Sequence, residues 1–356
     1  MTAIFIAQRP LSMNAAMETE LAKEIPAIMR KAGVPGLSIV VLRKGKIAWT
    51  AGFGVRSARS RLPVTNDTCF SVGSLSKPVF AYGVLKLVDA GKLTLDEPLA
   101  PYLPAEFTKD DPRFNKITAR IVLSHRTGFP NWPGDGKPLT INFNPGERFS
   151  YSGAGMVFLQ FAIEKITGEK LNDYMQEAVF GPLDMKRSSY VWKPVFEKDI
   201  AVGHNADGTA VELSKAVQAN AASSLETTAE DYALFLQAVL GGKGLRPDTL
   251  REMETPQIAV DPGCVNCVED PGSRKLSTEI FWGLGFGIEK TVEGETLWHW
   301  GNNGAFKSFF AAKPETKSGV VYLTNSENGL SIGPQIVGEA LGGGQPAFEW
   351  LNAGKR

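Results

Sequence analysis

The sequence predicts an α+β protein in which one antiparallel sheet is assembled from both ends of the chain, flanked by helices, with an all-helical region inserted between them. Strand-like segments occur near residues 36–54 and again from residue 280 onward, whereas residues 100–260 are mostly helical in pattern. The chain has 356 residues, 43% hydrophobic and 21% charged, which is enough for two layers around a sizeable core.

This order predicts two domains. We expect a discontinuous α/β sheet domain formed by residues 12–75 and 270–356, and a mainly helical domain formed by residues 76–269. A seam between two such domains is a natural place for a cleft, so we expect the active site there.

Composition excludes several functional classes. Lysine plus arginine and aspartate plus glutamate each number 38, so the net charge is zero and no nucleic-acid partner is indicated. No apolar run is long enough to span a membrane. The first 20 residues lack the basic and long apolar regions of a signal peptide, so we expect that a signal is absent or already removed. The compartment (cytoplasmic, periplasmic or secreted) and the oligomeric state stay open.

The two ends supply the expected sheet and its flanking helices. Residues 12–32 predict an amphipathic helix with Leu21, Ile25, Ile28 and Met29 on one face. The stretch "GLSIVVLRKGKIAWTAGFG" then predicts a hairpin. Later segments "FWGLGFGIEK", "TLWHWG", "AFKSFFAAKP" and "GVVYLTN" predict further strands, and "GPQIVGEALGG" predicts a last helix.

The middle of the chain predicts helices with glycine ends. Residues 79–92 have helical periodicity and close at Gly91. The segments "GMVFLQFAIEKITG" and "TTAEDYALFLQAVLGG" are the clearest helices, and each is ended by glycine.

Ser74 and Lys77 are the first candidate catalytic pair. They stand three apart in "FSVGSLSKPVF", so a helix would project them from one face near its N-terminus. That helix end carries free N–H groups, which suit a serine nucleophile, and an apolar environment would help the lysine lose its proton. The alternative is a helix-capping serine beside a solvated lysine.

Tyr151 is the second candidate. It follows a Pro-Gly turn in "NPGERFSYSGAGMVF" and precedes a predicted helix near Gly153. A phenol is a poor base at neutral pH, and we expect the Lys77 ammonium to lower its pKa. The alternative is a core tyrosine whose hydroxyl is satisfied.

The chain has three histidines. His299 lies between two tryptophans in a predicted strand, with Gly301 following, and is either a cleft residue or a packed core histidine. His125 is interpreted as a structural turn residue and His204 as part of a polar loop.

The cysteines do not predict a disulfide framework. Cys264 and Cys267 form "CVNC" in a turn-rich stretch, which predicts two loop thiols or one local disulfide. A zinc site formed by these two residues and His204 lacks ligands. Cys69 is expected to be a small buried residue.

The string Lys317-Ser318-Gly319 matches a Lys-Ser/Thr-Gly motif literally, but it follows Pro314 and precedes "VVYLTN". We therefore expect a hairpin turn far from any cleft.

Taken together, "SLSK", "YSG" and "HWG" in this order resemble the three motifs of class C β-lactamases and their penicillin-binding-protein-like serine hydrolase relatives. The surrounding strings "GKLTLDEPLAPYLP", "ITARIVLSHRTGFP" and "GNNGAFKSFFAAKPETKSGVVYLTN" resemble that family as well, and the resemblance covers residues 33–340. It implies a β-lactamase/transpeptidase-like fold.

The resemblance also implies roles for individual residues. Ser74 would be acylated, and Lys77 and Tyr151 would share the proton transfers. The backbone N–H groups of Ser74 and Asn302 would form the oxyanion hole, and His299 would line the substrate cleft. No metal or cofactor is implied, because the acyl-enzyme divides the reaction into two easier steps.

Two departures from the family narrow the expected substrate. Gly153 stands where the family has an asparagine, which removes an amide that would bind the substrate. His299 stands where true β-lactamases have a lysine, and a neutral imidazole holds a carboxylate less well. The run Trp298-His299-Trp300 also suggests an apolar cleft wall. We expect a carboxylesterase acting on short acyl esters, with weak or no β-lactam hydrolysis.

Alternative functions use the same residues. A D-aminopeptidase, a DD-carboxypeptidase-like peptidase or a β-lactamase would share the nucleophile and act on a small amide substrate. A non-catalytic binding protein of the same fold is the alternative from another class.

Overall fold

The computed structural model describes residues 13–104, 107, 111–268 and 276–353. The N-terminal stretch considered for a signal, residues 1–12, lies outside this range, as does the predicted domain boundary at residue 270. The α-helices are α1 Met13–Ala32, α2 Ser76–Asp89, α3 Ala119–Leu123, α4 Gly153–Thr167, α5 Leu171–Met175, α6 Ala229–Gly241, α7 Pro247–Glu254, α8 Gly333–Leu341 and α9 Pro346–Ala353. The strands are β1 Gly36–Arg43, β2 Lys46–Gly54, β3 Phe70–Ser71, β4 Glu226–Thr227, β5 Ile258–Ala259, β6 Ile280–Trp282, β7 Gly287–Thr291, β8 Gly294–Asn302, β9 Lys307–Lys313 and β10 Ser318–Thr324.

The main sheet joins both ends of the chain, as predicted. Its eight strands lie in the order β2-β1-β10-β9-β8-β7-β6-β5, and every neighbouring pair is antiparallel. β1, from the start of the chain, pairs with β10, from near its end, with Ile39 opposite Tyr322. A separate two-stranded sheet pairs β3 with β4.

Both faces of the main sheet are buried because alternate side chains enter two different cores. Val40 and Leu42 of β1 pack in a core shared with α2, α4 and α6. Ile39 and Val41 pack instead with residues of α1, α8 and α9. The predicted apolar face of α1 is buried in this second core.

The helices α4 and α6 of the middle region end at glycines, as predicted. The Ser152 hydroxyl accepts the Gly155 N–H at 3.0 Å and caps α4, which ends at Gly168 with a left-handed backbone, φ 75°. Thr228 caps α6 in the same way, and Gly242 ends it. The cap at Ser152 holds the loop residue just before it, Tyr151, at a helix N-terminus.

Two details differ from the sequence expectation. The segment "FWGLGFGIEK" is divided into β6 and β7, because the chain turns between them and the Gly283 N–H bonds the Phe286 carbonyl at 2.9 Å. Helix α9 was not predicted. The turn predicted at Lys317 lies between β9 and β10, with φ 51° at Lys317.

The division into two domains stays a prediction. No helix in the described part of the chain combines the length and apolar character needed to cross a bilayer.

Candidate active site

Ser74 and Lys77 lie where the short β3 strand turns into the central helix α2. Ser74 belongs to a single 3₁₀ turn, Gly73–Leu75, and Lys77 lies in the first turn of α2. Gly73 enters this turn with φ 53°, a conformation that glycine adopts at little cost. The Lys77 Nζ and Ser74 Oγ atoms are 2.8 Å apart, which is hydrogen-bonding distance.

Lys77 is almost completely buried, at 1% exposure. Its Nζ also donates to the Ala222 carbonyl at 2.8 Å, and no carboxylate among the described residues pairs with it. Burial therefore holds the pKa of Lys77 well below its ordinary value of 10.5. This environment favours the neutral amine, which can accept a proton from the Ser74 hydroxyl.

Tyr151 lies close to both Ser74 and Lys77. The Lys77 Nζ is 4.8 Å from the centre of the phenol ring. The phenol oxygen is buried and has no well-formed hydrogen bond among the described residues, although the Ser74 hydroxyl acts to lower its pKa. Burial outweighs this and raises the pKa of Tyr151 far above 10, so the expectation that Lys77 lowers it was wrong. The phenol is therefore set up as a proton donor.

His299 is placed differently from the expectation. It is fully buried, its Nδ1–H donates to the Trp300 carbonyl at 2.7 Å, and it does not line the cleft beside Ser74. Trp300 lines that cleft, whereas Trp298 is fully buried. Burial, with Lys77 nearby, lowers the pKa of His299 well below 6.5. The geometry favours a neutral core imidazole over a direct substrate contact.

His125 has a role beside the site that the sequence interpretation missed. It is a turn residue, with φ 53°, but its ring packs against Tyr151 with centroids 4.3 Å apart. Its Nδ1 accepts the Ser152 N–H at 3.1 Å, which ties the ring to the start of α4. The interpretation of His125 as a turn residue agrees with this backbone conformation, but nothing in the spacing of "VLSHRTGFP" indicates contact with Tyr151.

The end of β8 meets the Ser74 turn at very close range. A Cβ placed on Gly73 would lie 3.0 Å from the carbonyl carbon of Asn302 and 3.2 Å from its nitrogen, and a Cβ on Gly301 would collide with the Val72 carbonyl. Glycine at both positions therefore lets the backbone of Asn302 approach the turn that carries Ser74. An oxyanion hole made of two backbone N–H groups needs two backbone segments this close together.

Gly153 has a clear steric partner. A Cβ on Gly153 would lie 2.6 Å from the Trp132 ring, so this indole occupies the space that a larger residue would need. The Gly153 N–H donates to the Asn131 Oδ1 at 2.8 Å. Asn131 and Trp132 both line the cleft, which places an amide there from a different part of the chain.

These residues surround a cleft of about 480 Å³ that contains Ser74, Tyr151, Asn302 and Trp300 in its lining. Val265 and Asn266 line it as well, and they lie between Cys264 and Cys267, which form a disulfide. Of the two alternatives that the sequence left open, two loop thiols or one local disulfide, the structure has the disulfide. The zinc interpretation is not favoured, because both sulfurs are bonded to each other and both His204 ring nitrogens face backbone groups, the Ala58 N–H and the Asn325 carbonyl.

Comparison with known proteins agrees with the fold. A family model described as Beta-lactamase matches residues 21–335. This match covers most of the chain, so the protein belongs to the beta-lactamase family.

More distant similarities support the same fold. The chain is 20% identical to Protein flp of Staphylococcus aureus (strain MW2) over 317 residues, which are 83% of this chain and 61% of that protein. It therefore spans about three fifths of that relative. The structure is similar to D-alanine carboxypeptidase AmpC from Burkholderia cenocepacia, with TM-score 0.77, 20% identity, and coverage of 92% of this chain and 99% of the other. It is also similar to a class C β-lactamase, with TM-score 0.76, 19% identity, and coverage of 94% and 98%.

Proposed function

We propose that this protein is a carboxylesterase that acts on short acyl esters through an acyl-enzyme at Ser74. The observation that carries the proposal is the 2.8 Å contact between the Ser74 hydroxyl and the buried amine of Lys77. A serine hydroxyl needs a base to become a nucleophile, and an amine whose pKa burial has lowered can serve as that base.

The reaction follows from the protonation states of the two groups. Lys77 takes the proton of Ser74 as Oγ forms its bond to the ester carbonyl carbon. The carbonyl oxygen becomes an oxyanion, which the N–H groups of Ser74 and Asn302 stabilise. When the C–O bond to the leaving group breaks, Tyr151 donates a proton to the departing oxygen, and the Lys77 ammonium returns a proton to Tyr151. Water then attacks the acyl-enzyme through the same groups and regenerates Ser74.

The cleft supports an ester in preference to a β-lactam. Trp132 fills the space beside Gly153, and His299 is buried and neutral, so neither supplies the amide or the cation that the family places there. Six of the twelve lining residues are apolar or aromatic, among them Trp132, Trp300 and Leu330, and the other six are serines and asparagines.

A substrate comparison tests this proposal. We expect kcat/KM for p-nitrophenyl acetate or butyrate to exceed that for a chromogenic cephalosporin. A higher kcat/KM on the cephalosporin would contradict the esterase assignment. Labelling with a fluorophosphonate probe and mapping the modified residue should give an adduct on Ser74, and an unlabelled Ser74 would favour the non-catalytic binding protein.

A peptidase acting on D-amino-acid substrates is the second candidate. It is supported by the structural similarity to the D-alanine carboxypeptidase AmpC. D-alanyl p-nitroanilide separates the two, since an esterase of this kind should hydrolyse it far more slowly than the matching ester.

A further inference from the structure

A second pocket, of about 500 Å³, lies directly beside the catalytic cleft. It is bordered by Ser71 of β3, Glu226 of β4 and the turn at 303–306. Ser223 and Asn303 line both the pocket and the cleft, so the two are neighbouring parts of one depression. The Asn303 Nδ2 donates to the Ser71 hydroxyl at 2.6 Å along this shared border.

Glu226 is the unusual residue in this pocket. It lies directly opposite Ser71 in the register of β3 and β4. It is only 5% exposed, and its Oε2 is buried without a hydrogen-bond partner among the described residues. Leaving a buried carboxyl oxygen unpaired costs stability, which makes it a candidate to receive a group from a ligand.

The charge of the pocket indicates the ligand class. Glu212 is a second carboxylate in the lining, and no lysine, arginine or histidine side chain lines the described pocket. Burial raises the pKa of Glu226 to about 8, with the Ser71 hydroxyl opposing the rise. A cation entering the pocket would lower that pKa again and bind the ionised carboxylate.

The position of the pocket indicates which part of the substrate enters it. Tyr151, the proposed donor to the leaving group, lines the cleft but not this pocket. The leaving group must stay near its proton donor, so the pocket is available to the acyl portion.

We propose that this pocket is a subsite of the active site, in which Glu226 binds a protonated amine carried by the acyl portion of the substrate. The inference rests on the proposed acyl transfer to Ser74 and narrows its substrates to amino-substituted acyl esters or amides. A charge-assisted hydrogen bond to a buried carboxylate would then decide between amino and neutral acyl groups.

Matched substrate pairs test the subsite. The p-nitrophenyl esters of 3-aminopropionate and 6-aminohexanoate are compared with those of butyrate and heptanoate, in which a methyl group replaces the amine. We expect the amino-to-neutral ratio of kcat/KM to fall about 10- to 100-fold in Glu226→Gln for at least one pair. Glu230→Gln, an exposed carboxylate in α6, should keep the wild-type ratio. Equal ratios in wild type and Glu226→Gln for both pairs overturn the subsite.

A second measurement needs no variant. The n-hexylammonium ion should inhibit wild-type hydrolysis of p-nitrophenyl butyrate competitively and at least 10-fold more strongly than n-hexanol, in which a neutral hydroxyl replaces the ammonium. Equal inhibition by the two compounds contradicts the proposal even if Glu226→Gln does not fold.

The subsite proposal can be tested separately from the esterase assignment. If the wild type hydrolyses none of the esters, the proposed function is wrong, and calorimetric titration with n-hexylammonium still decides the subsite. Tighter binding to wild type than to Glu226→Gln supports it, and equal or absent binding overturns it.

Discussion

The centre of the cleft and its rim differ in how far their polar groups are exposed to water. At the centre, Lys77 and Tyr151 are buried and surrounded by packed side chains, so burial sets their protonation states. At the rim, Asn131 and Asn302 are polar residues at the surface of the cleft, where water competes for each contact. We therefore expect the proposed reaction to depend on the exclusion of water and counter-ions from the Lys77 amine. We expect substrate choice to depend on the loop side chains at the rim, which can be replaced without disturbing the buried centre.

The largest expected effect comes from removing that amine. Lys77→Met should lower kcat/KM for p-nitrophenyl butyrate about 100- to 10,000-fold, the range for loss of a general base. Lys86→Met is a matched control on the same helix, because Lys86 only donates to the Gly244 carbonyl and is outside the cleft. Activity of Lys77→Met within a few-fold of the control would show that another group activates Ser74.

The same variant should be more stable than the wild type. The pKa of Lys77 is lower in the folded state than in the unfolded chain, so below pH 10.5 folding must release a proton that the unfolded state keeps. This penalty grows as the pH falls from 10.5 toward the folded-state pKa, and methionine removes it. We expect the thermal midpoint of Lys77→Met to exceed that of wild type by about 2 °C or more at pH 7, and by less at pH 10. A lower midpoint would mean that the two hydrogen bonds of Nζ outweigh the burial cost.

The pH profile comes next. Because Lys77 must be deprotonated, kcat/KM should rise with pH to a plateau whose acid limb lies well below pH 10.5. Because Tyr151 must keep its proton and burial raises its pKa, a fall is expected only above about pH 10. Tyr151→Phe should keep the acid limb and lose the alkaline one. If the wild-type profile of kcat/KM against pH has only one limb, and this limb is lost in His125→Gln, the proton transfers would be assigned to the His125 imidazole instead.

The centre could be predicted from sequence largely because the proposed nucleophile and its proposed base are close together in the chain. Ser74 and Lys77 are three residues apart at a helix start, and their spacing alone places them on one face. Tyr151 was a candidate because it follows a Pro-Gly turn at a predicted helix start, and the family resemblance supplied its role. The centre of its ring lies 4.8 Å from the Lys77 Nζ. Its pKa was wrongly predicted because the degree of burial is a property of the folded chain, which local spacing does not contain.

The rim and the residues packed behind Tyr151 were less predictable, because their contacts also depend on how the whole chain folds. His125 reaches Tyr151 through a left-handed turn, and Asn131 reaches Gly153 from a loop 22 residues earlier. Neither contact leaves a periodic pattern in the sequence. The aromatic neighbours of His299 left a cleft residue and a core residue as alternatives, and the family resemblance favoured the cleft. Only the position of the strand between two packed layers separates these outcomes.

A rim residue should affect binding more than chemistry. The Asn131 Oδ1 is occupied by the Gly153 N–H, which leaves its amino group available to a substrate carbonyl. Asn131→Ala should raise KM for short esters about 5- to 10-fold with little change in kcat, as loss of one neutral hydrogen bond predicts. Asn142→Ala removes an amide that bonds the Gly128 carbonyl outside the cleft lining and serves as the control. An equal loss of kcat in Asn131→Ala would assign this residue to the transition state.

The smallest effect is expected from the disulfide at the rim. The Val265 carbonyl accepts the Tyr151 N–H at 2.9 Å, and the bond between Cys264 and Cys267 closes the loop that carries it. Closing so short a loop contributes about 2 kcal/mol at most in the chain-entropy account, so reduction should loosen the rim without unfolding the centre. We expect a mild phosphine reductant to raise KM about two-fold and to leave kcat unchanged.

The remaining cysteine makes this test selective. Cys69 is a free, buried thiol, so it has no disulfide bond for the phosphine to reduce, and the reductant acts on the bond between Cys264 and Cys267. The double variant with Cys264→Ser and Cys267→Ser should reproduce the higher KM and should no longer respond to the reductant. A fall in kcat in either experiment would mean that the loop positions Tyr151 for proton transfer. The distinction between a rigid centre and an adjustable rim would then not hold for Tyr151.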